Sequence, residues 1–266
     1  MNAIDCAHRT VQGDELLTVV GSMKLKDKRI VITGGSKGLG RALAFRFAEE
    51  GARLALCARS SDELNRVVLE LSLRWAPPLS VACDIGDHSQ VEHFARTVLA
   101  EFGSVDVLVN NASLLGPRIE IVEWTTATWD RVIDVNVNGL FAVTKAFLPL
   151  MMKQRSGSII NVSSSVGKKG KQRWGAYAAS KFAVEGFTQT LADEVKHLGI
   201  KVNSVNPGPI DTEMRHAAYP DEDRSKLKSP SEIADVFVFL ASDDSRGTTG
   251  QYFEAQEFHK TKKEMV

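Results

Sequence analysis

The sequence predicts a single α/β domain with a doubly wound, mostly parallel sheet and helices on both faces. Two observations predict it: short β-branched runs alternate with longer helical segments, and no segment between them is long enough to be an interdomain linker. Parallel strands need long crossover connections, which the helical segments supply. The length of 266 residues and the apolar content of 43% suit one large domain.

The first unit is a β-branched run closed by glycines, residues 29–35, and then a helical pattern over 41–51 that stops at a glycine. Further strands are predicted at 53–59, 79–84, 105–112, 158–164 and 200–208, with a candidate last strand at 250–258. Further helices are predicted at 62–75, 89–103, 183–199 and 231–242. Ligands of such sheets bind beyond the carboxyl ends of the strands, so function is expected in the segments that follow 33, 59, 84, 112, 164 and 208.

The predicted domain covers residues 25–258, with a short substrate lid at about 212–230. Residues 1–24 are interpreted as a loosely packed N-terminal extension, without the basic start and apolar core of a signal peptide, and 259–266 as a polar tail. Three cysteines (Cys6, Cys57 and Cys83) form neither a C-x-x-C motif nor a plausible disulfide framework. This usage fits a reducing, cytoplasmic environment.

The bulk charge argues against several classes of partner. There are 33 basic and 33 acidic residues, so no global field favours nucleic acid or a membrane surface. Apolar runs such as residues 105–109 are too short to span a bilayer, and the six histidines show no metal-ligand spacing. The expectation is therefore a protein with no nucleic-acid partner, no membrane partner and no metal.

A glycine-rich turn, "TGGSKGLG" at residues 33–40, separates the first strand from the first helix. Such a turn lets the backbone approach a pyrophosphate at the helix N-terminus. Its glycines do not follow the G-x-G-x-x-G spacing, and an ordinary glycine-rich turn remains an alternative on this motif alone.

The end of the second strand indicates which dinucleotide the turn would take. NAD-binding folds place an acidic residue there, but this chain has Arg59, and Asp62 is expected to cap the next helix. A cation pairs with a 2′-phosphate, and Lys37 in the glycine turn supplies a second one. The pair favours NADP(H), with a solvated surface role for Arg59 as the alternative.

The segment "YAASK" places Tyr177 and Lys181 on one face of a helix, one turn apart. A nearby ammonium favours the phenolate and lowers the pKa of a tyrosine from about 10, which makes it a usable acid or base. Ser164 lies thirteen residues before Tyr177, after a predicted strand.

Together these motifs resemble the short-chain dehydrogenase/reductase family, in its single-domain branch with a Rossmann fold. The glycine turn resembles T-G-x-x-x-G-x-G, Cys83–Asp84 resembles an adenine-contacting pair, and "NNAS" at 110–113 resembles N-N-A-G with Ser113 in place of glycine. Asn136 in "VNVNG" and "NPGPIDT" at 206–212 match further family motifs. The likeness runs from about Leu25 to Gln251.

The resemblance implies roles for four catalytic residues. Tyr177 would exchange a proton with the substrate oxygen, and Ser164 would polarise that oxygen. Lys181 would bind the nicotinamide ribose and lower the pKa of Tyr177, and Asn136 would hold a water in a proton relay. The Ile210 backbone and the Thr212 hydroxyl would fix the carboxamide. The implied NADP(H) site comprises Thr33, Gly34, Ser36, Lys37, Gly38, Leu39, Gly40, Arg59, Asp84, Ile85, Asn111, Ala112, Tyr177, Lys181, Pro207, Gly208, Ile210 and Thr212.

Three segments depart from the family pattern. The lid is short and polar, which predicts either a mobile lid over an open pocket or a compact loop. Four basic residues at 168–173 either attract an anionic substrate or carrier, or form a solvated loop. The C-terminal "GQYFEAQEF" lacks the D-G-G of relatives, so the family's homodimer or homotetramer is expected without a choice between them.

The leading hypothesis is an NADP(H)-dependent oxidoreductase acting on a small-molecule carbonyl or secondary alcohol. Reduction of 3-oxoacyl groups on an acyl carrier protein is an alternative: Arg155 matches a basic position of such relatives, whereas Leu198 does not. A catalytically silent NADP(H)-binding sensor or scaffold is an alternative of another class. The sequence names neither the substrate nor the physiological direction.

Overall fold

A computed structural model describes residues 23–258 of the chain. Most of the predicted N-terminal extension, with Cys6, and all of the tail 259–266 lie outside the described residues. The strands are β1 Arg29–Thr33, β2 Arg53–Ala58, β3 Leu79–Ala82, β4 Val107–Asn110, β5 Gly157–Val162, β6 Ile200–Asn206 and β7 Tyr252–Glu254. β-branched and apolar residues dominate these short runs, as expected for strands buried on both faces.

All seven strands form one parallel sheet in the order β3-β2-β1-β4-β5-β6-β7. The chain winds outwards from β1 in one direction, returns, and then winds outwards from β4 in the other. The strand order therefore switches between β1 and β4, where open α/β sheets form a crevice. The predicted doubly wound fold is confirmed.

The helices are α1 Gly38–Glu49, α2 Ser61–Ser72, α3 His88–Phe102, α4 Thr126–Ile133, α5 Leu140–Gln154, α6 Gly175–Val195, α7 Glu213–Ala218 and α8 Asp235–Ala241. A π-helical segment, Asp134–Gly139, joins α4 to α5. Single 3₁₀ turns occur at Ile121–Glu123, Ser165–Gly167, Lys196–Leu198, Arg224–Lys226, Pro230–Ile233, Asp243–Ser245 and Ala255–Glu257.

Several predicted boundaries were wrong for local reasons. α6 begins at Gly175 instead of residue 183, which places both Tyr177 and Lys181 on it. α2 is capped by Ser60, whose hydroxyl accepts the Glu63 N–H at 3.2 Å, so Asp62 lies in the first turn and is not the cap. The candidate strand 250–258 shortens to β7, because a 3₁₀ turn follows it.

Two apolar clusters pack on the two faces of the sheet. One joins α1, α2 and α8 to alternate residues of the central strands, with Phe47 and Phe237 fully buried. The other joins α3, α5 and α6, where the rings of Phe94 and Phe147 meet edge to face with centroids 6.0 Å apart. Helices on both faces leave the strand ends, and the loops that follow them, as the place for a ligand.

Within the described residues, one continuous helical stretch, Thr126–Gln154, is long and apolar enough by length and composition to cross a membrane. Its most apolar window has a mean hydropathy of 1.3 and is 44% buried inside the protein. Core helices of soluble proteins pass the same test, and this stretch contributes Val143, Phe147 and Met151 to the core.

Candidate active site

A cavity of about 810 Å³ lies at the carboxyl ends of β1 to β6. Its walls come from the segments after these strands, as the sequence predicted. The predicted residues that line it are Gly34, Ser36, Lys37, Gly38, Leu39, Arg59, Asp84, Ile85, Asn111, Ala112, Ser164, Tyr177, Lys181, Pro207, Gly208, Ile210 and Thr212. Thr33, Gly40 and Asn136 do not line this cavity and lie behind its wall.

The glycine turn is shaped by contacts that exclude side chains. Gly34 adopts a φ of +68°, and a Cβ on it would lie 2.9 Å from the Ala112 Cα. A Cβ on Gly40 would lie 2.1 Å from the Gly34 carbonyl oxygen. These glycines keep the turn tight and its backbone bare at the start of α1, which is the arrangement that suits a phosphate group.

Thr33 and Asn111 join the ends of β1 and β4. The Thr33 hydroxyl accepts the N–H groups of Asn111 and Ala112 at 3.0 and 3.1 Å. The Asn111 side-chain amide donates to the carbonyl oxygens of Thr33 and Gly34 at 2.9 and 3.1 Å. Both side chains therefore hold the crevice at the switch in strand order, and Thr33 acts behind the cavity wall.

The two cations expected to select a 2′-phosphate differ in their surroundings. Arg59 is exposed at the end of β2, lines the cavity and has no ion-pair or hydrogen-bond partner among residues 23–258. The Lys37 ammonium lies 3.1 Å from a Glu213 oxygen and 3.7 Å from a Glu63 oxygen, and these acids raise its pKa. Arg59 is thus the cation available to an incoming anion, whereas Lys37 already has acidic partners.

Asp84 lines the cavity after β3 but is held by neighbouring groups. Its carboxylate forms an ion pair with Arg131 and accepts the Gly86 N–H at 2.9 Å. Ile85 follows it, buried, with its carbonyl so close to Gly139 that a Cβ there would lie 2.6 Å away. The absence of a side chain at Gly139 lets the π-helical segment approach this wall.

Tyr177 and Lys181 lie one turn apart on α6 and are both buried in the cavity wall. Burial raises the pKa of Tyr177 to about 12, while a hydrogen bond with Ser164 acts in the opposite direction. Burial lowers the pKa of Lys181 to about 8, and the charge of Glu185 opposes this. The Lys181 ammonium donates to the Val162 carbonyl oxygen at 2.8 Å and lies 5.5 Å from the centre of the Tyr177 ring.

The sequence led us to expect a tyrosine pKa lowered by lysine, but burial raises the pKa of Tyr177, and the effect that opposes burial comes from Ser164. A phenol with a pKa of about 12 is protonated at neutral pH. Ser164 follows β5 and caps the Ser165–Gly167 turn, with its hydroxyl accepting the Val166 N–H at 3.4 Å.

Asn136 lies in the π-helical segment, and its buried side-chain amide is hydrogen-bonded to other protein groups. The amide oxygen accepts the Leu114 N–H at 2.7 Å, and the amide nitrogen donates to the Leu114 carbonyl at 2.8 Å and to the Ser180 hydroxyl at 3.0 Å. Leu114 lines the cavity, so the side chain of Asn136 fixes this wall from behind.

Several contacts tie the predicted lid segment together and join it to the loop after β4. The two ends of the lid meet at a bridge between Ile210 and Lys228. Arg215 makes a bidentate ion pair with Glu222 at 2.6 and 2.5 Å, which closes the turn after α7. Arg118, from the loop after β4, donates to the Ala218 carbonyl, and its guanidinium lies 4.5 Å from the centre of the Tyr219 ring.

The basic loop, residues 168–173, is not uniformly solvated. The Lys171 ammonium donates to the Tyr219 hydroxyl of the lid at 2.7 Å. Arg173 pairs with Glu120 at 3.0 Å, and Lys168 lies 3.7 Å from an oxygen of the buried Glu185. The sequence did not predict these acidic and aromatic partners, because they come from elements far along the chain.

Further lining residues were missed from sequence because only the packing brings them to the cavity. They come mainly from the lid, the β4 loop and the end of β6: Ser60, Glu63, Leu114, Leu115, Val135, Val162, Asn206, Glu213, Met214, Arg215, Ala217 and Ala218. Trp174 lines it as well, and so does Ser113, which stands in place of the glycine of the N-N-A-G motif. Leu115, Trp174 and Ala218 pack in one apolar cluster with Tyr177, which gives that part of the cavity an apolar character.

The geometry fits a phosphorylated dinucleotide. A bare glycine turn opens at a helix N-terminus, and Arg59, which has no partner among residues 23–258, follows the second strand. The cavity continues to the buried Tyr177 and Lys181 and the half-buried Ser164. Of the described residues, no group of three or more histidine, cysteine or acidic side chains is arranged to hold a metal ion. Cys57 and Cys83 are buried as free thiols.

Comparison with known proteins gives consistent matches over most of the chain. The model of the short chain dehydrogenase family matches residues 28–223. The oxidoreductase YciK of Escherichia coli K12 is 39% identical over 242 residues, 89% of this chain and 94% of that protein. The 3-oxoacyl-[acyl-carrier-protein] reductase FabG of Thermotoga maritima is 38% identical over 237 residues, 86% of this chain and 96% of that protein.

A solved short chain dehydrogenase from Escherichia coli CFT073, complexed with NADPH, has a TM-score of 0.85 and 39% identity. The match covers 88% of this chain and 99% of that one.

Proposed function

Because the chain belongs to the short-chain dehydrogenase family, we propose that it transfers a hydride between NADP(H) and a carbonyl or secondary-alcohol substrate, with Tyr177 as the general acid or base. The observation that carries this proposal is the buried Tyr177–Lys181 pair beside Ser164, at one end of a cavity whose other end is a bare glycine turn. The NADPH found in the similar solved structure supports the choice of cofactor.

The proposed binding of the cofactor rests on groups that are free to receive it. The backbone of residues 34–40 and the α1 N-terminus would receive the pyrophosphate. Arg59 would pair with the 2′-phosphate, and NADPH when bound supplies the hydride. Tyr177 would donate its proton to the substrate oxygen while the Ser164 hydroxyl polarises it. The Lys181 ammonium stabilises negative charge developing on the phenol oxygen.

The proposed physiological direction is reduction, and the support for it is the NADP(H) preference expected from Arg59. In that direction Tyr177 acts in its protonated form, which agrees with burial raising the pKa of its phenol to about 12.

The experiment is NADPH oxidation, followed at the nicotinamide absorbance, across a panel of ketones, quinones, steroids, sugars and acyl thioesters. Turnover of at least one carbonyl with NADPH, and loss of that turnover in Tyr177→Phe, is the expected result. Normal NADPH binding with no turnover of any panel member would instead favour the silent sensor or scaffold.

A second candidate is a 3-oxoacyl thioester reductase, favoured by the match to FabG of Thermotoga maritima. Within one chain, Arg155 gives this candidate no direct support. It is exposed at the end of α5, where it donates to the His197 carbonyl at 3.2 Å, next to the amino end of β5. The cavity lies at the opposite, carboxyl end. An acetoacetyl carrier-protein thioester beside simple ketones separates the two candidates.

We further propose a cytoplasmic homo-oligomer. The apolar side chains of Phe141, Met152 and Phe182 are exposed on α5 and α6, which pack on the same face of the sheet. Exposed large apolar side chains of this kind are typical of subunit contacts. Light scattering coupled to gel filtration tests this, and a monomer at micromolar concentration would contradict it.

A further inference from the structure

A third ionisable residue continues the row formed by Tyr177 and Lys181. Glu185 follows Lys181 by four residues on α6, so it lies one further turn along the same face. The three residues are 8%, 3% and 5% exposed, respectively. A carboxylate this deeply buried needs compensating partners, because isolated charges are costly inside a protein.

Only one of the two carboxylate oxygens of Glu185 has a hydrogen-bond partner among residues 23–258. One oxygen, Oε2, accepts the Ser204 hydroxyl of β6 at 3.0 Å and lies 3.7 Å from the Lys168 ammonium. The other oxygen, Oε1, is buried and has no hydrogen-bond partner among residues 23–258. A carboxylate placed in this way retains a strong local field, because few groups neutralise it.

The charged and titratable groups around Glu185 come from the turn after β5, from β7 and from α6 itself. Lys168 follows the Ser165–Gly167 turn and also lies 4.4 Å from the centre of the Tyr252 ring. The Tyr252 hydroxyl on β7 donates to Glu254 at 2.8 Å. Burial is the main cause that raises the pKa of Tyr252, and the negative charges of Glu254 and Glu185 raise it further. From α6 itself, the buried Lys181 faces Glu185 without a direct ion pair. Lys181 and Lys168 are thus two positive charges near this carboxylate.

Lys181 needs such a charge. Its ammonium is buried and donates to one backbone carbonyl, and burial lowers its pKa to about 8, close to neutrality. The negative charge of Glu185 opposes that effect. If it were removed, a large fraction of Lys181 would lose its proton near neutral pH, and the positive charge beside Tyr177 would be lost with it.

We propose that Glu185 is a positioning residue whose buried carboxylate keeps Lys181 in the charged form that Tyr177 requires. This inference rests on the proposed function for its catalytic consequence, but the effect on Lys181 itself does not. Lys168 acts on the solvent side, where its ammonium stabilises the ionised Glu185. One basic residue of the 168–173 loop therefore has an inward, electrostatic role.

The test measures the protonation of Lys181 directly. The protein is labelled with ¹³C- and ¹⁵N-lysine, and the side-chain resonance of Lys181, identified by its loss in Lys181→Met, is followed from pH 6 to 11. In Glu185→Gln, which retains the shape and an acceptor for Ser204, the proton affinity of Lys181 is expected to fall by about tenfold or more. An unchanged affinity would overturn the inference.

Two further variants make the result specific. Glu194→Gln removes an exposed acid from the same helix and is expected to leave Lys181 unchanged. Glu185→Asp keeps the negative charge but moves it away by one methylene, so we expect a fall in the proton affinity of Lys181 that is smaller than in Glu185→Gln. If Glu185→Gln does not fold, Glu185→Asp carries the test, and no fall in that variant would overturn the inference.

The kinetic arm uses any carbonyl substrate that the wild type reduces. In Glu185→Gln the alkaline limb of the kcat profile is expected to move to lower pH by about the same factor, with near-normal kcat at pH 6. A uniform loss of kcat at every pH would indicate a merely structural role and overturn the inference. If no carbonyl is reduced, the proposed function fails, while the titration of Lys181 still decides the inference.

Discussion

Gly40 lies so close to Gly34 that a Cβ on Gly40 would stand 2.1 Å from the Gly34 carbonyl oxygen. We therefore expect Gly40→Ala to push the turn apart, to lower stability by roughly 1–3 kcal/mol and to weaken NADPH binding. Urea unfolding and a fluorescence titration with NADPH measure both effects. Gly186→Ala is the matched control: this exposed α6 glycine has nothing within 4 Å of a new Cβ, so the substitution should stabilise the helix by about 0.5–1 kcal/mol. Equal effects of the two variants would contradict the steric argument.

Substitution of Arg59 tests whether this residue selects NADPH through its 2′-phosphate. The Arg59 guanidinium has no partner in the described structure, so it can pair fully with a 2′-phosphate. Arg59→Ala removes this ion pair and should lower the affinity for NADPH by about 10- to 100-fold. NADH affinity should hardly change. Lys37→Met should have a smaller effect, because Glu63 and Glu213 already pair with Lys37. Arg53→Ala, at the amino end of the same strand, controls for loss of a surface cation. A similar loss for NADH and NADPH in Arg59→Ala would argue against 2′-phosphate selection.

Tyr177→Phe should remove the proton donor and leave the fold intact, because the ring stays in place against Trp174. Turnover is expected to fall by at least about a hundredfold, the lower end of general-acid contributions. Isothermal titration should give NADPH binding close to that of the wild type. Retained turnover would contradict the assigned role of the phenol.

Arg118 joins the β4 loop to the lid. Arg118→Ala removes the hydrogen bond to the Ala218 carbonyl and the cation–π contacts with Trp174 and Tyr219. Faster amide hydrogen exchange across α7 and a higher KM for substrate are expected, since such contacts contribute roughly 0.5–2 kcal/mol each. NADPH affinity should change less. Lys226→Ala, an exposed substitution within the lid, should leave α7 exchange unchanged.

Lys181 should make stability depend on pH in a definite direction. Its pKa falls from an ordinary 10.5 to about 8 in the fold, so between those values the unfolded chain binds more protons and stability rises with pH. Below pH 8 the cost is fully present. Lys181→Met should therefore be more stable than the wild type at pH 7, by at most about 3 kcal/mol, and lose this advantage towards pH 10.5. Urea unfolding at pH 7 and pH 10 checks it; a difference that does not change with pH would refute it.

The succession of strands and helices along the chain and the strand ends that line the cavity were predictable, because they depend on local patterns. β-branched runs, a glycine turn and the Tyr177–Lys181 spacing each lie within one short segment. The helical stretch Thr126–Gln154 was not divided into elements from sequence, because residues such as "LFAVTKAFLPLMM" are apolar on most sides and give no clear period.

Charge pairing was far less predictable, because the partners are distant in sequence. Glu63 and Glu213 reach Lys37 from α2 and α7, and Arg118 reaches Ala218 across 100 residues. Glu185 is a different case. Its spacing of four from Lys181 was visible, but only the packing of β6 and the 165–168 turn shows that it is buried.

The isolated bridge between Ile210 and Lys228, which lies outside the seven-stranded sheet, brings the two ends of the lid side by side. A segment whose ends already meet can be exchanged for another of different length at small entropic cost, since closure depends only weakly on loop length. Residues 213–227 can therefore be exchanged as one unit, with Thr212 of the expected cofactor site retained. Replacing them with the corresponding stretch of another family member should alter which substrates are accepted while the sheet, the glycine turn and Tyr177 stay in place.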